Sequence, residues 1–447
     1  MAAIIRFLEV ALYPEDKNMQ RTKKIIRLTA ILLFATIMLL HSCGEKSENA
    51  DNGDTMKGDE NKMETETSAE PKIVYRIAYT QLKTNLEAGR YANVATMRSY
   101  VVNITDDGIV HEPFEIASEF KFEDGKEWAV QFAGWDSDSE FRFYRSWTEE
   151  EHAQKEEKTK GFIFEDGKKI VHTWKYNLDT GEAADITEIE KVSDYCTGFY
   201  RSGDRYVFTA MIGQNAVTYT CALDYTDKKP LSDETLGFTY TPTVSDDGIT
   251  IRQTDYKIYI EYPDGTTKYV NTKKNFNFAP ARSPDGKYLL FVAGKSNVTA
   301  DTIYVVDIDG ENLREVATRG GYFGAVLFLD VPDYHEGSSD VPCWSPDKDE
   351  HIIYFTRKDN TNGTNIYKLD TDTGIETKLT DTGDGALNYH AIPSPDGKWL
   401  SFGSNRSGTR QLYIMRPDGG ELTQISQAPE YNAAIFASWR EIFKELK

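Results

Sequence analysis

The residues best suited to chemistry gather in the C-terminal third of this chain. The stretch Asp330-Val331-Pro332-Asp333-Tyr334-His335-Glu336-Gly337-Ser338-Ser339-Asp340 is dense in potential ligands, and Asn388-Tyr389-His390 follows further on. Imidazole and carboxylate together form the donor set of a divalent ion, so His335, His390 and Asp340 or Asp333 are candidate ligands of one metal. The plainer alternatives are loop packing for His335 and a hydrogen-bonded role for His390. A second group suits recognition: Trp135 with Asp136, Lys295, and Asn405 with Arg406, joined by Tyr334 and Asn388. An aromatic face beside Arg and Asn fits a sugar ring and its carboxylate. Trp135 could equally pack against the charged insertion 148–160. No Gly-rich phosphate loop or paired-Cys metal site is visible, and Gly403-Ser404-Asn405-Arg406-Ser407-Gly408 lacks the spacing of a nucleophile elbow.

The elements that must position these residues are announced by a phrase written three times: Ala281-Arg282-Ser283-Pro284-Asp285-Gly286, Cys343-Trp344-Ser345-Pro346-Asp347-Lys348 and Ile392-Pro393-Ser394-Pro395-Asp396-Gly397. Each copy precedes an apolar strand, then a second strand ending in a further turn. A repeat of roughly 40 to 50 residues with four short strands cannot bury its apolar faces alone and must stack radially with its copies. More divergent units start near Gly237, Asp194 and Glu119. The unit from Glu119 is assigned its strands at Phe120–Phe122, Trp128–Phe132 and Lys169–Leu178. Ile73–Thr80 and Ser99–Asp106 supply the later strands of a first unit that lacks its opening strand, and Ala434–Trp439 is an opening strand with nothing after it. Joined, they close a ring without free edges. The expected fold is an all-β, seven-bladed β-propeller over residues 72–447, with six blades as the alternative count.

That arrangement assigns roles to the two rims. In the Ser-Pro-Asp-Gly turns, Pro presets φ, Asp caps and Gly takes the positive φ, so this rim is structural. Ligand sites lie at the opposite mouth of the central channel, where chains enter the innermost strands and where second and third strands join. The long connection from Arg319 to Asp340, Lys295, His390, Asn405 and Arg406 are placed there, together with Trp135 and Asp136. His351, in the turn Asp349-Glu350-His351 on the structural rim, is expected to be solvated.

The first 43 residues read as a targeting segment. Arg21, Lys23, Lys24 and Arg27 precede an apolar run from Leu28 to Leu40, then His41-Ser42-Cys43. A run of thirteen residues is too short to span a bilayer comfortably. Residues 1–18 add nothing to such a signal. Residues 44–71, with nine acidic residues and three lysines, form an expected disordered tether. Segments 1–42 and 43–71 carry +3 and −6, leaving −18 of the formal −21 on the remaining residues. Such a surface disfavours nucleic acid and anionic headgroups as partners. Beyond Cys43 only Cys196, Cys221 and Cys343 remain, which is no disulfide framework, and all three read as buried small hydrophobes.

The segment ending at Cys43 resembles a bacterial lipobox, with His41 where a small or aliphatic residue is usual. That resemblance implies lipidation of Cys43 and a place in the bacterial cell envelope, at the periplasmic face or the surface of the outer membrane, touching the membrane only through the anchor. The Ser-Pro-Asp-Gly units resemble the TolB-type, WD-like propeller repeat of envelope proteins, clearly over 276–426 and as a pattern over 72–275. Nothing outside the propeller matches TolB's separate N-terminal domain. The resemblance implies a binding module that holds a glycan, peptide or protein partner at the mouth, or an assembly platform. The whole pattern is also similar to the oligogalacturonate lyases, which implies an alternative: a metal-dependent β-elimination on a uronate, with His335 and His390 as ligands of one divalent ion and Arg406 or Lys295 neutralising the carboxylate. Without the metal, no cofactor is expected. A peptidase of the prolyl oligopeptidase type would need an α/β-hydrolase domain after the propeller, and this reading is set aside.

Overall fold

The computed structural model describes residues 72–82, 98–106, 108–117, 129–146, 172–185, 196–202, 204–212, 215–224, 226–231, 243–295, 300–321, 340–359, 363–383, 385–427 and 433–442. They form seven four-stranded antiparallel sheets, the seven blades expected. Blade 1 combines residues 433–441 with 73–115. Blades 2 to 7 follow in order at 129–185, 196–230, 243–270, 276–318, 343–378 and 388–424. Cys43 and the expected signal and tether lie outside the described residues. Among the described residues, no helix is long and apolar enough to cross a membrane.

The burial pattern follows from radial stacking. A blade's two middle strands are covered on both faces by neighbouring blades, so they lose the alternation of a half-solvated sheet. In blade 5, Leu289, Leu290, Phe291 and Val292 are all essentially inaccessible. Leu289 and Phe291 pack with Ile251, Ile258 and Ile260 of blade 4. Leu290 and Val292 meet Trp344, Ile353 and Phe355 of blade 6. The outer strand Arg314–Thr318 is short and largely polar, which blunts it as a pairing edge.

Closure occurs as the half-units predict. Ala433–Glu441 runs antiparallel to Ile73–Leu82, from Tyr75 opposite Glu441 to Leu82 opposite Ala433. Trp439 belongs to blade 1 by its backbone but is fastened into blade 7: its Nε1 donates to Ser401 Oγ at 2.9 Å and to the Ile392 carbonyl at 3.2 Å.

The repeated phrase folds the same way in blades 5 and 7. Ser283 Oγ donates to Asp285 Oδ1 at 2.7 Å and accepts from the Tyr288 amide at 2.9 Å. Ser394 does the same with Asp396 and the Trp399 amide, at 2.8 and 3.0 Å. Gly286 and Gly397 take φ of 78° and 73°. Local sequence does not show that the second carboxylate oxygen of each turn reaches the following blade. Arg282 of blade 5 grips Asp247 of blade 4, His351 of blade 6 holds Asp285 of blade 5 at 3.0 Å, and Tyr75 of blade 1 donates to Asp396 of blade 7. His351 is therefore a seam residue with a side chain only 13% exposed, not the solvated one expected.

Blade 2 departs from the strand assignment made on sequence. Its innermost strand is Ala129–Trp135 and its second is Glu140–Ser146. The turn 136–139 therefore takes the place of a Ser-Pro-Asp-Gly turn. Residues 120–122 lie outside the described residues. Of the three cysteines, Cys221 is buried, while Cys343 is partly buried and donates to the Ala391 carbonyl at 3.2 Å. The Cys196 side chain is outside the described set.

Trp439→Ala should remove both inter-blade hydrogen bonds and leave a cavity at the closing seam. The expected loss is about 3–5 kcal/mol of unfolding free energy, measured by urea denaturation, with a lower midpoint and an unchanged m-value.

Candidate functional site

The mouth rim is stitched by backbone between consecutive blades. The Arg319 amide donates to the Asp301 carbonyl and the Lys358 amide to the Arg319 carbonyl, joining blades 5 and 6. Thr364 and Leu387 form a parallel bridge between blades 6 and 7, and Arg410 and Ala433 form one between blades 7 and 1. Gly320, at φ 64°, allows this approach: a Cβ there would sit 2.1 Å from the Lys358 carbonyl oxygen. Backbone ties of this kind hold mouth side chains on a preorganised frame.

Among the described residues, blade 7 presents a dense polar group on this rim. Asn388, fully buried, donates from Nδ2 to Thr382 Oγ1 at 2.7 Å and to Asn365 Oδ1 at 3.1 Å. Its Oδ1 accepts from Ser404 Oγ at 2.9 Å and from Arg406 Nη2 at 2.7 Å. Arg406 also donates from Nε to Ser404 Oγ, and its guanidinium lies 5.1 Å from the Phe402 ring centre and 4.9 Å from that of Tyr413. Burial lowers its pKa, and Tyr413 works weakly the other way. Arg357 of blade 6 rests on the matching pair Phe355 and Tyr367, but it is closed by Glu376 through both guanidinium nitrogens. Arg142, Arg205, Arg252, Arg282, Arg416 and Arg440 also each hold a carboxylate. Among the described residues, the acceptors of Arg406 are an amide and a hydroxyl, both neutral.

His390 lies two residues further along the innermost strand Asn388–Pro393, at a bulge where His390 and Ala391 oppose Phe402 alone. Register breaks at the corresponding place in blades 1, 2, 3 and 5. In blade 5 the same first bulge position is Ala279, at φ 53°, and His390 takes φ 61°. A left-handed backbone is costly for a residue with a Cβ, although His adopts it more readily than most. His390 is partly exposed, yet its Nε2 is sealed from solvent and has no hydrogen-bond partner among the described residues. Burial pushes its pKa down, keeping the ring neutral, while the nearby Asp340 carboxylate pulls it up. Asp340 is itself buried, and its carbonyl accepts from Arg319 Nη2 at 2.5 Å. Arg319, wholly buried and also bonded to the Thr356 carbonyl, was not singled out in the sequence. Nothing local distinguishes it from a loop cation.

The expected site residues thus separate. His390 and Asp340 are brought near each other, and Asn388, Asn405 and Arg406 sit together on the same rim, with Asn405 Oδ1 accepting from the Leu387 amide at 2.8 Å. Lys295 is exposed at the mouth end of blade 5's second strand. Asp333, Tyr334 and His335 lie outside the described residues. Trp135 and Asp136 are on the other rim, in the turn leaving the innermost strand of blade 2. There Trp135 packs on Phe132 and Phe141 and donates to the Ser438 carbonyl at 3.2 Å, while Asp136 is buried against Arg142 at 3.0 Å. Both are structural, which removes the aromatic sugar platform from the mouth. Among the described residues, no group of three His, Cys, Asp or Glu is placed to hold a metal ion.

No family model matches the chain. An uncharacterized protein of Agrobacterium fabrum is 31% identical over 146 residues, 33% of this chain and 42% of that protein. The Tol-Pal system protein TolB of Geobacter sulfurreducens is 36% identical over 63 residues, 14% of each chain. The matches thus span less than half the length of these relatives. Among solved structures, an oligogalacturonate lyase in complex with manganese is similar at 16% identity and a TM-score of 0.40, over 65% of this chain and 74% of that one. The resemblance to TolB thus has a sequence counterpart over 63 residues.

His390→Gly should relieve the left-handed strain and raise stability by about 1 kcal/mol, read as a higher urea midpoint. A drop instead would assign the imidazole a packing role.

Proposed function

We propose that this chain is a lipid-anchored propeller of the bacterial cell envelope, held through Cys43, that binds a glycan, peptide or protein partner at its channel mouth by an anionic group. The observation that carries the reading is Arg406: a half-buried guanidinium about 5 Å from the centres of two aromatic rings, without a carboxylate partner among the described residues, in a chain of formal charge −21. Its counterpart Arg357 shows the same platform closed by an internal Glu376. Where this internal acid is missing, a ligand carboxylate completes the pair, and two parallel N–H···O bonds would set its orientation. The long-range field repels anions, so recognition at Arg406 is short-ranged, and binding should weaken little with added salt.

Arrays of acid-bearing glycans and peptides, each beside its neutral or amidated counterpart, test this directly. The acid-bearing members should be retained, and Arg406→Gln should weaken them by about 10- to 100-fold, as for a charge-assisted bond worth roughly 1.5–3 kcal/mol. Equal retention of acid and neutral members would sink the proposal.

A second reading is the metal-dependent uronate lyase, and one observation favours it: the neutral His390, whose Nε2 has no partner among the described residues, lies in the field of Asp340. These two residues supply two donors of a suitable type, and His335 is the candidate third. A divalent ion there would polarise the uronate carboxylate and acidify the C5 proton. Metal analysis of the purified protein beside His390→Ala, with absorbance near 235 nm on uronate oligosaccharides, separates the readings. A bound ion and a rising trace in the wild type alone would establish the lyase, while a metal-free protein and a flat trace would end it.

A further inference from the structure

On the rim opposite the mouth, three blade seams are latched alike, by a donor of one blade on the turn carboxylate of the blade before. The donors differ chemically. Arg282 keeps its charge at any ordinary pH. Tyr75 keeps its proton, because burial and its bond to Asp396 raise its pKa. At the seam of blades 5 and 6 the donor is an imidazole.

His351 engages carboxylates with both nitrogens: Nε2 to Asp285 Oδ2 at 3.0 Å in blade 5, and Nδ1 to Asp372 Oδ2 at 2.5 Å in its own blade. A neutral imidazole has one N–H, so it can donate to only one of them and would turn a lone pair on the other. Only the imidazolium satisfies both. The ring is held in place edge-on to Tyr288 at 4.7 Å and near Trp344 at 6.5 Å. The charged groups around it are Asp285 with its partner Lys287 from blade 5, Arg314 over Tyr288, and Asp370 and Asp372 from the third turn of blade 6. Lys348, Asp349 and Glu350 flank it in its own turn.

We propose that the joint between blades 5 and 6 is a proton-sensitive seam, tightened when His351 is protonated between Asp285 and Asp372 and loosened when it is not. Burial alone would lower the pKa of His351, but its bonds to Asp285 and Asp372 and their charge outweigh it and leave the value raised. The folded seam therefore prefers the proton. His351 contributes fully below its unfolded pKa of about 6.5, and that contribution is lost as pH rises through the higher folded value. At the acid end, burial opposes the charge on Asp285, but hydrogen bonds from Lys287, Ser283 and His351 hold its pKa well below the usual carboxylate range. Its contribution is complete above an unfolded pKa of about 3.9 and lost as pH falls through the depressed folded one. The seam is tightest between these limits.

Hydrogen exchange by mass spectrometry on the full chain at pH 5.5 and 8.0, corrected for intrinsic base catalysis, reads this seam separately from the others. Amides of Leu290–Ala293 and Ile353–Phe355 should exchange at least tenfold faster at pH 8.0. His351→Gln should give the fast rate at both values, and Tyr75→Phe should keep the pH response while loosening the seam of blades 7 and 1. If His351→Gln does not fold, the wild-type profile still decides: its midpoint must lie above that of an exposed imidazole. A flat wild-type profile, a midpoint at or below that value, or a response retained in His351→Gln would overturn the proposal.

Discussion

The ladder between Ala433–Glu441 and Ile73–Leu82 is the constraint on which the remaining architecture rests. A blade has two faces to bury, and six stacked blades with an incomplete seventh would leave two apolar faces and an open edge. Supplying the innermost strand of blade 1 from the far end of the chain removes the edge. Through Trp439 it also fixes the distance between blades 1 and 7. Once the circle is fixed, each innermost strand has a set radius, and residues at its bulge, such as His390, have a fixed position on the channel.

The two rims use charge in opposite ways. On the turn rim, the carboxylates of Asp285 and Asp396 are consumed internally: one oxygen stabilises the local turn and the other reaches the adjacent blade. On the mouth rim, Asn388, Ser404 and Asn365 are neutral groups that satisfy one another and leave Arg406 with only neutral acceptors among the described residues. A guanidinium held half-buried without a counter-charge has a desolvation cost that an ordinary surface arginine avoids. The cost is local, on the rim that also holds the strained His390, whereas the turn carboxylates Asp247, Asp285 and Asp396 are each matched by a donor of the next blade. Uneven satisfaction of this kind is what separates a functional edge from a structural one.

How much of this was legible in the sequence depends on range. Seven blades, the split first blade and the turn chemistry were legible because repetition converts a long-range fact into a local pattern, as Ser283 and Ser394 show. Trp135 was misplaced because the strands of blade 2 carry no Ser-Pro-Asp-Gly mark. Its aromatic run was assigned to a second strand when it forms the first. His351 read as solvated because its decisive partner Asp285 is 66 residues away and in another blade. Arg406 was visible as a candidate by type and position. That its neighbours are neutral while those of Arg357 are not emerges only when the outer strands are in place. Fold information is repeated and therefore redundant, whereas site information is the departure from the repeat and occurs once.

The bond between Tyr75 and Asp396 spans 321 residues of chain. Loop-closure entropy grows only with the logarithm of length, so joining such distant segments costs about 2 kcal/mol more than closing a single blade. Time is affected more than free energy. A chain emerging from its N-terminal end can complete blades 2 to 7 in turn, each from contiguous sequence, while Ile73–Leu82 waits with one side unpaired until Ala433–Glu441 arrives. In order of synthesis, the blade begun first is thus the last whose strands are all available. Through that interval the chain has an exposed strand edge, a natural target for holding factors and for mispairing with a second copy.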